Sequence, residues 1–180
     1  KDNTVSNIKQ TIEDTYEINV KKPKLCPRFS ARIFKNIKIS KTPLWLTERL
    51  RKSGIRSIHP IVDVTNYVMI ELGQPLHAYD LSLLDGPIVP RYANDKETIT
   101  LLDGQNIRIN KNTVVVADDS GAIGLAGIMG GSKTSVSGTT KDILLEAAFW
   151  PTGIMSGQAR SYGLQTDASM RFERGVDPYL

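Results

Sequence analysis

Glu146 is the residue whose position most needs a chemical explanation. It stands in Ile143-Leu144-Leu145-Glu146-Ala147-Ala148-Phe149, a run that is otherwise wholly apolar. A carboxylate there must be paired, protonated or turned toward a cavity, because burying it bare costs more than a fold can supply. The plain alternative is an outward-facing Glu on an edge strand, paired with an Arg. His77 is the second candidate. It lies in Leu72-Gly73-Gln74-Pro75-Leu76-His77-Ala78-Tyr79-Asp80, an extended or loop segment after Pro75. Imidazole can orient a water or hold a ligand, or it can simply be satisfied by backbone in a core. Just upstream, Asp63, Thr65 and Asn66 add more hydrogen-bonding side chains than a simple core segment needs. Asp63 and Asp80 read as turn and cap residues, and Thr65 and Asn66 as cap, core or pocket groups.

The run from Gly124 to Gly131 holds four glycines. Backbone without side chains can come close to a ligand. Gly127 to Thr134 is one residue short of a phosphate-binding loop, with Ser132 where that pattern requires glycine. A tight turn or the small-residue wall of a pocket fits better. Arg56 follows a helix end and could hold a phosphate or pair with an acid. Arg171, Glu173 and Arg174 read as a surface ion-pair cluster. No serine sits in a nucleophile-elbow pattern. One cysteine and two histidines offer no metal-ligand spacing. If the chain catalyses a reaction, attack by a bound water on an ester held in the pocket fits these residues better than a side-chain nucleophile or a metal.

Several elements must position them. Residues 1 to about 15 read as linker or frayed helix. Phe29, Ala31 and Ile33, then Phe34, Ile37 and Ile39, read as a kinked strand. Thr42-Pro43-Leu44-Trp45 marks a helix start with Thr42 as N-cap and Pro43 at the first helical position; Gly54 ends it. Pro60 opens a second helix that Gly73 closes, with His59 standing in as its cap. Asp80 caps a short turn through Leu84. Strands are expected over Ile88–Tyr92, Thr98–Leu102, Thr113–Ala117 and Ile143–Phe149, with an Asp103-Gly104 hairpin turn leading to Ile107 and Ile109. Pro151 starts a helix that runs to Gly163. Thr166 or Asp167 starts a last one through Glu173. Strands and helices do not alternate, so the fold class is α+β: one module, a mixed or antiparallel sheet, and flanking helices around a cleft.

The 180 residues suffice for one domain with a full core. No apolar run approaches the ~18 residues of a membrane helix. The polar start lacks both a signal-peptide core and an initiator Met, as expected of a piece of a longer chain. A single Cys26 excludes an internal disulfide and suits a reducing cytoplasm. The net charge of +4 is uneven: residues 1–60 carry 14 Lys/Arg against 5 Asp/Glu. A basic half favours a polyanion such as nucleic acid; otherwise it is a solvated Lys-rich surface.

Blocks spread from Cys26 to the end match one family in order. They include Cys26-Pro27-Arg28-Phe29, Gly54-Ile55-Arg56, Val62-Asp63-Val64-Thr65-Asn66-Tyr67 and Gly73-Gln74-Pro75-Leu76-His77-Ala78-Tyr79-Asp80. Leu125-Ala126-Gly127-Ile128-Met129-Gly130-Gly131, Leu145-Glu146-Ala147 and Thr166-Asp167-Ala168-Ser169-Met170-Arg171-Phe172-Glu173-Arg174-Gly175 complete the set. The chain resembles the central editing module of the bacterial phenylalanyl-tRNA synthetase beta subunit. The resemblance implies a linker or tail over 1–24, the editing domain over 25–176 and the start of a further segment at 177–180. It implies hydrolysis of tyrosine mischarged onto the tRNA for phenylalanine, with His77 as the catalytic group. Glu146 would read the tyrosine hydroxyl, and Arg56, Thr65 and Asn66 would line the pocket toward the ester and terminal adenosine. Ala126, Gly127 and Gly130 would form its small wall, with Thr166 and Ala168 opposite. Expected partners are that tRNA, the alpha subunit and the rest of the beta chain in an α2β2 assembly, with no membrane. ATP and magnesium would serve elsewhere in the enzyme, and no cofactor is expected in this segment. The other reading of the same resemblance is a non-catalytic tRNA-binding or subunit-assembly module. Two departures stand out: His59-Pro60 before the second helix, and Ser161-Tyr162 in place of a more basic pair.

Overall fold

The computed structural model describes residues 11, 12 and 14–179. Of the linker expected over 1–24, residues 1–10 and 13 lie outside the described residues. Among the described residues, three antiparallel sheets and five short α-helices form the α+β architecture expected from the sequence. The first sheet has the order β1 (Arg28–Phe34), β9 (Ile143–Phe149), β2 (His77–Asp80). The second has the order β3 (Val89–Tyr92), β6 (Val114–Asp118), β7 (Gly121–Leu125), β8 (Met129–Gly130). The third is a hairpin of β4 (Thr98–Thr100) and β5 (Asn106–Arg108).

β9 organises the first sheet because it lies between two partners. Its side chains alternate. Leu144 and Ala148 join the main core, with Val115, Ile123, Trp150 and Phe172. Ile143 and Leu145 point the other way, to a smaller cluster with Ile61 of helix α2 (Pro60–Leu72) and with Ala78. Glu146 shares the main-core face of its strand.

Four local expectations meet corrections. Thr42 does not cap α1 (Leu44–Lys52); Pro43 holds that position. The Thr42 hydroxyl instead donates to Asp63, whose carboxylate also accepts from Ser57 Oγ (2.6 Å) and the Ile58 N–H (3.0 Å). A buried anion is the stronger acceptor, and it wins the hydroxyl. His59 occupies the cap position of α2 without any side-chain cap bond. Ile37 and Ile39 fall outside β1, which ends at Phe34 before Asn36 turns left-handed (φ 57°). The expected helix from Pro151 to Gly163 is two pieces, α3 (Thr152–Met155) and α4 (Gln158–Ser161), because Gly157 between them has φ 74°.

Other elements stand as read. Gly73 closes α2 with φ 77°. Asp80 Oδ1 accepts from the Ser82 N–H at 3.0 Å and caps the short 3-10 turn Leu81–Leu83. Helix α5 (Asp167–Arg174) begins with a reciprocal box between Thr166 and Ser169. Upstream of the first sheet, Ile18 bridges Ile88, and Tyr16 donates to the Gly86 carbonyl.

Candidate functional site

Glu146 and His77 are direct cross-strand partners of β9 and β2. Tyr79, two residues after His77, falls on the same face of β2. Its phenol donates to Glu146 Oε2 at 2.6 Å. The His77 and Tyr79 rings meet edge to face, 4.4 Å between centroids. The plain alternative for Glu146 is thereby excluded: β9 is a central strand, and the carboxylate is 6% exposed with a phenol for a partner instead of an arginine.

These three side chains sit on one wall of a hollow of about 80 Å³. The glycine-rich run supplies another. It folds as β7, a turn at Ala126–Ile128 and β8, with Gly124 opposite Gly130. This hairpin is where the near-miss phosphate loop falls, and no helix follows it as such a loop needs. Glycine is required twice. A Cβ on Gly130 would stand 2.3 Å from His77 Cε1 and 2.8 Å from Nε2. Gly127 has φ 65°, and a Cβ there would stand 2.8 Å from Trp150 Cδ1 and 2.9 Å from Phe172 Cδ2. Ala126 and Ala168 complete the small lining. Thr166 holds the wall from behind, donating its hydroxyl to the Ile128 carbonyl at 2.8 Å.

The structure thus brings together His77, Glu146, Ala126, Gly127, Gly130 and Ala168, with Thr166 in support. It does not bring Arg56, Thr65 and Asn66 to this hollow. Arg56 is exposed in the connection between α1 and α2. The Thr65 hydroxyl is spent on the Val62 carbonyl at 2.8 Å, and its side chain lines an apolar groove with Ile61, Ile143 and Leu145. That groove is on the other face of β9. Asn66 is half-buried on the same helix. The sequence reading missed Tyr79. The signal was present, since a strand over 77–80 puts residues 77 and 79 on one side.

Burial sets the electrostatics. It pushes the Glu146 carboxyl up to about 7, against the lowering effect of the Tyr79 hydrogen bond. It pushes the His77 imidazole down to about 4. At neutral pH the imidazole is therefore uncharged. His77 Nε2 is buried without a hydrogen-bond partner among the described residues. Such an atom normally finds one. Cys26, which is fully buried, is pushed up to about 12 by burial and by the charge of Glu146. It is an inert thiol, not a nucleophile. Among the described residues no cluster of His, Cys, Asp and Glu could hold a metal ion, and no helix is long and apolar enough to cross a membrane.

The arrangement is chemically specific. An apolar hollow is lined by one carboxylate, one neutral imidazole and bare backbone, so it suits a small ring carrying a hydrogen-bond donor. Comparison with known proteins points to one family. The B3/4 domain model matches residues 25–180. Relatives include the phenylalanine–tRNA ligase beta subunit of Vibrio vulnificus (strain YJ016), 53% identical over 175 residues. That of Pectobacterium atrosepticum is 49% identical over 178 residues. These alignments cover 97% and 98% of this chain and 22% of each relative, so the chain spans about a fifth of their length. An N-terminal fragment of the phenylalanyl-tRNA synthetase beta subunit from Pyrococcus horikoshii superimposes with a TM-score of 0.54. It is 13% identical, covering 78% of this chain and 47% of that one, and the likeness is one of fold. With the match spanning every wall of the hollow from β2 to α5, the chain belongs to the B3/4 domain family.

Proposed function

We propose that this chain is an editing module of a phenylalanine–tRNA ligase beta subunit, hydrolysing tyrosine mischarged onto the tRNA for phenylalanine. The chemical need is general. A pocket sized for phenylalanine rejects an analogue with one added hydroxyl by only about a hundredfold. A second site can use that hydroxyl as a handle. The observation that carries the reading is Glu146: a carboxylate in an apolar wall that already accepts a hydrogen bond from a phenol. A tyrosyl ring in the hollow would donate to Oε1. A phenylalanyl ring would leave Oε1 dry and unpaired, at about 1–3 kcal/mol.

His77 would then orient the attacking water. Its ring lines the hollow, and its low proton affinity argues against its holding the proton as a strong base. The module would act within the cytoplasmic enzyme beside the alpha subunit and the rest of the beta chain. The test is hydrolysis of tyrosyl- and phenylalanyl-tRNA by the assembled synthetase. Glu146→Ala should cut the preference for tyrosine by about tenfold or more. An unchanged preference would overturn the assignment.

One observation favours a second reading, a tRNA-binding or assembly surface. Trp45, 56% exposed, meets Tyr67 edge to face at 5.5 Å, and the Arg49 guanidinium lies over both rings. Exposed rings with a cation suit base stacking. If this surface is the whole function, Ala168→Trp should leave tRNA binding and hydrolysis unchanged.

A further inference from the structure

Resting on the editing reading, we infer that Tyr79 is a positioning and specificity-determining residue for the reaction. Its hydroxyl holds Glu146 so that one carboxylate oxygen stays committed to the protein and the other faces the substrate ring.

The geometry is specific about which oxygen is which. Tyr79 is 2% exposed, and its phenol donates to Oε2. Oε1 accepts from no side chain or backbone N–H among the described residues, and Glu146 lines the hollow. A carboxylate on a free χ3 torsion could present either oxygen, or rotate both away. A fixed donor on one oxygen removes that freedom before the substrate arrives. The direction is fixed as well. A phenol can donate only one proton, and Tyr79 spends it on the carboxylate, so Tyr79 offers no second donor to Oε1.

Tyr79 also keeps Glu146 a good acceptor. Its hydrogen bond favours the ionised carboxylate, while burial favours the acid. Other groups near the pair do not replace it. His77 on β2 is uncharged at neutral pH, and Cys26, before β1, holds its proton. Burial first and Glu146 second push the Tyr79 phenol well up, with Asp118 on β6 and Tyr16 adding to it, so it stays a protonated donor. Removing the Tyr79 hydroxyl should therefore raise the pH at which Glu146 ionises and let its carboxylate turn.

The experiment is the pH profile of the tyrosine-over-phenylalanine hydrolysis ratio, measured on the assembled synthetase from pH 5.5 to 9. Tyr79→Phe should move the midpoint of that profile to higher pH by about one unit, a tenfold change in proton affinity. It should also lower the ratio about fivefold at pH 7, with recovery as pH rises. Replacing Tyr79 by 3-fluorotyrosine, a stronger donor of nearly the same shape, should move the midpoint the other way. This second arm decides the matter if Tyr79→Phe does not fold. An unmoved midpoint in both, with Glu146→Ala still erasing the preference, overturns the role of Tyr79 and leaves the editing reading standing. A preference that survives Glu146→Ala overturns the editing reading itself.

Discussion

Glu146 costs the folded protein stability, and that cost is measurable. Its carboxyl binds a proton more tightly folded than unfolded, with its value raised from 4.5 to about 7. The folded state is therefore penalised progressively as pH rises through that window, by on the order of 3 kcal/mol once both states are ionised. Glu146→Gln keeps an acceptor for Tyr79 and removes the charge. It should stabilise the fold at pH 8 by about 1–3 kcal/mol in urea denaturation while losing the preference for tyrosine. His77 has the opposite sign. Its folded value, about 4, lies below its ordinary 6.5, so stability is lost as pH falls through that range. In the wild type the two slopes offset one another between about pH 4.5 and 6.5. In Glu146→Gln the His77 loss should stand alone, and urea midpoints should fall steadily below pH 6.5. An equally flat profile in both proteins would contradict this pairing. Glu146 was legible in the sequence because an acid among seven otherwise apolar residues has few explanations. For Tyr79 the sequence showed only its shared face with His77; its partner could not be read, because that depends on which strand lies opposite.

At the scale of elements, the site depends on how a hairpin and a helix end meet a sheet. The β7–β8 hairpin presses its bare backbone on His77, so Gly130→Ala must move the ring or the strand. Overpacking of that kind costs about 1–3 kcal/mol. The variant should melt earlier and should lose hydrolysis more than it loses tRNA affinity. Thr166 joins two elements: it caps α5 through the Ser169 N–H at 3.0 Å and anchors the Ile128 carbonyl. Thr166→Ala should cost about 1 kcal/mol in thermal unfolding. It should also speed amide exchange in the 126–130 turn, which loses its anchor. Helix starts were readable where chemistry marks them, as at Pro60 and Thr166. The break at Gly157 was not. A glycine inside a short helical pattern is tolerated or turned left-handed according to what it meets, and here the Glu173 carboxylate accepts from the Gly157 N–H at 2.9 Å. Tyr162, one of the two departures from the family pattern, clamps Thr113 Oγ1 at 2.6 Å and accepts from the Asn110 N–H. Its job is structural, which single-residue reading could not supply.

For the molecule as a whole, the carboxylates outside the hollow set the acid limit. Burial alone would raise Asp63 and Asp80. The Ser57 and Thr42 hydroxyls around the first, and Ser82 and Thr140 around the second, hold both below the usual carboxylate range. Glu97 is held low by the forked grip of Arg91, at 2.6 and 2.8 Å. Each contributes stability that is present above the ordinary carboxylate range and disappears as pH falls through the lowered folded values. Cooperative acid unfolding should therefore begin below about pH 4, and Glu97→Gln should shift it upward on a circular-dichroism titration. The α+β class was readable from irregular element order. The split into three separate sheets was not, because pairing depends on partners far apart in sequence.

The lining of the hollow also has a direction for change built into it. At Gly124, Gly127, Gly130, Ala126 and Ala168 the side chains are already as small as amino acids provide, or one methyl larger. Nearly every single codon change at these places can only subtract room. Descendants of this protein can readily come to hold slimmer occupants there, but admitting bulkier ones would require rebuilding the backbone.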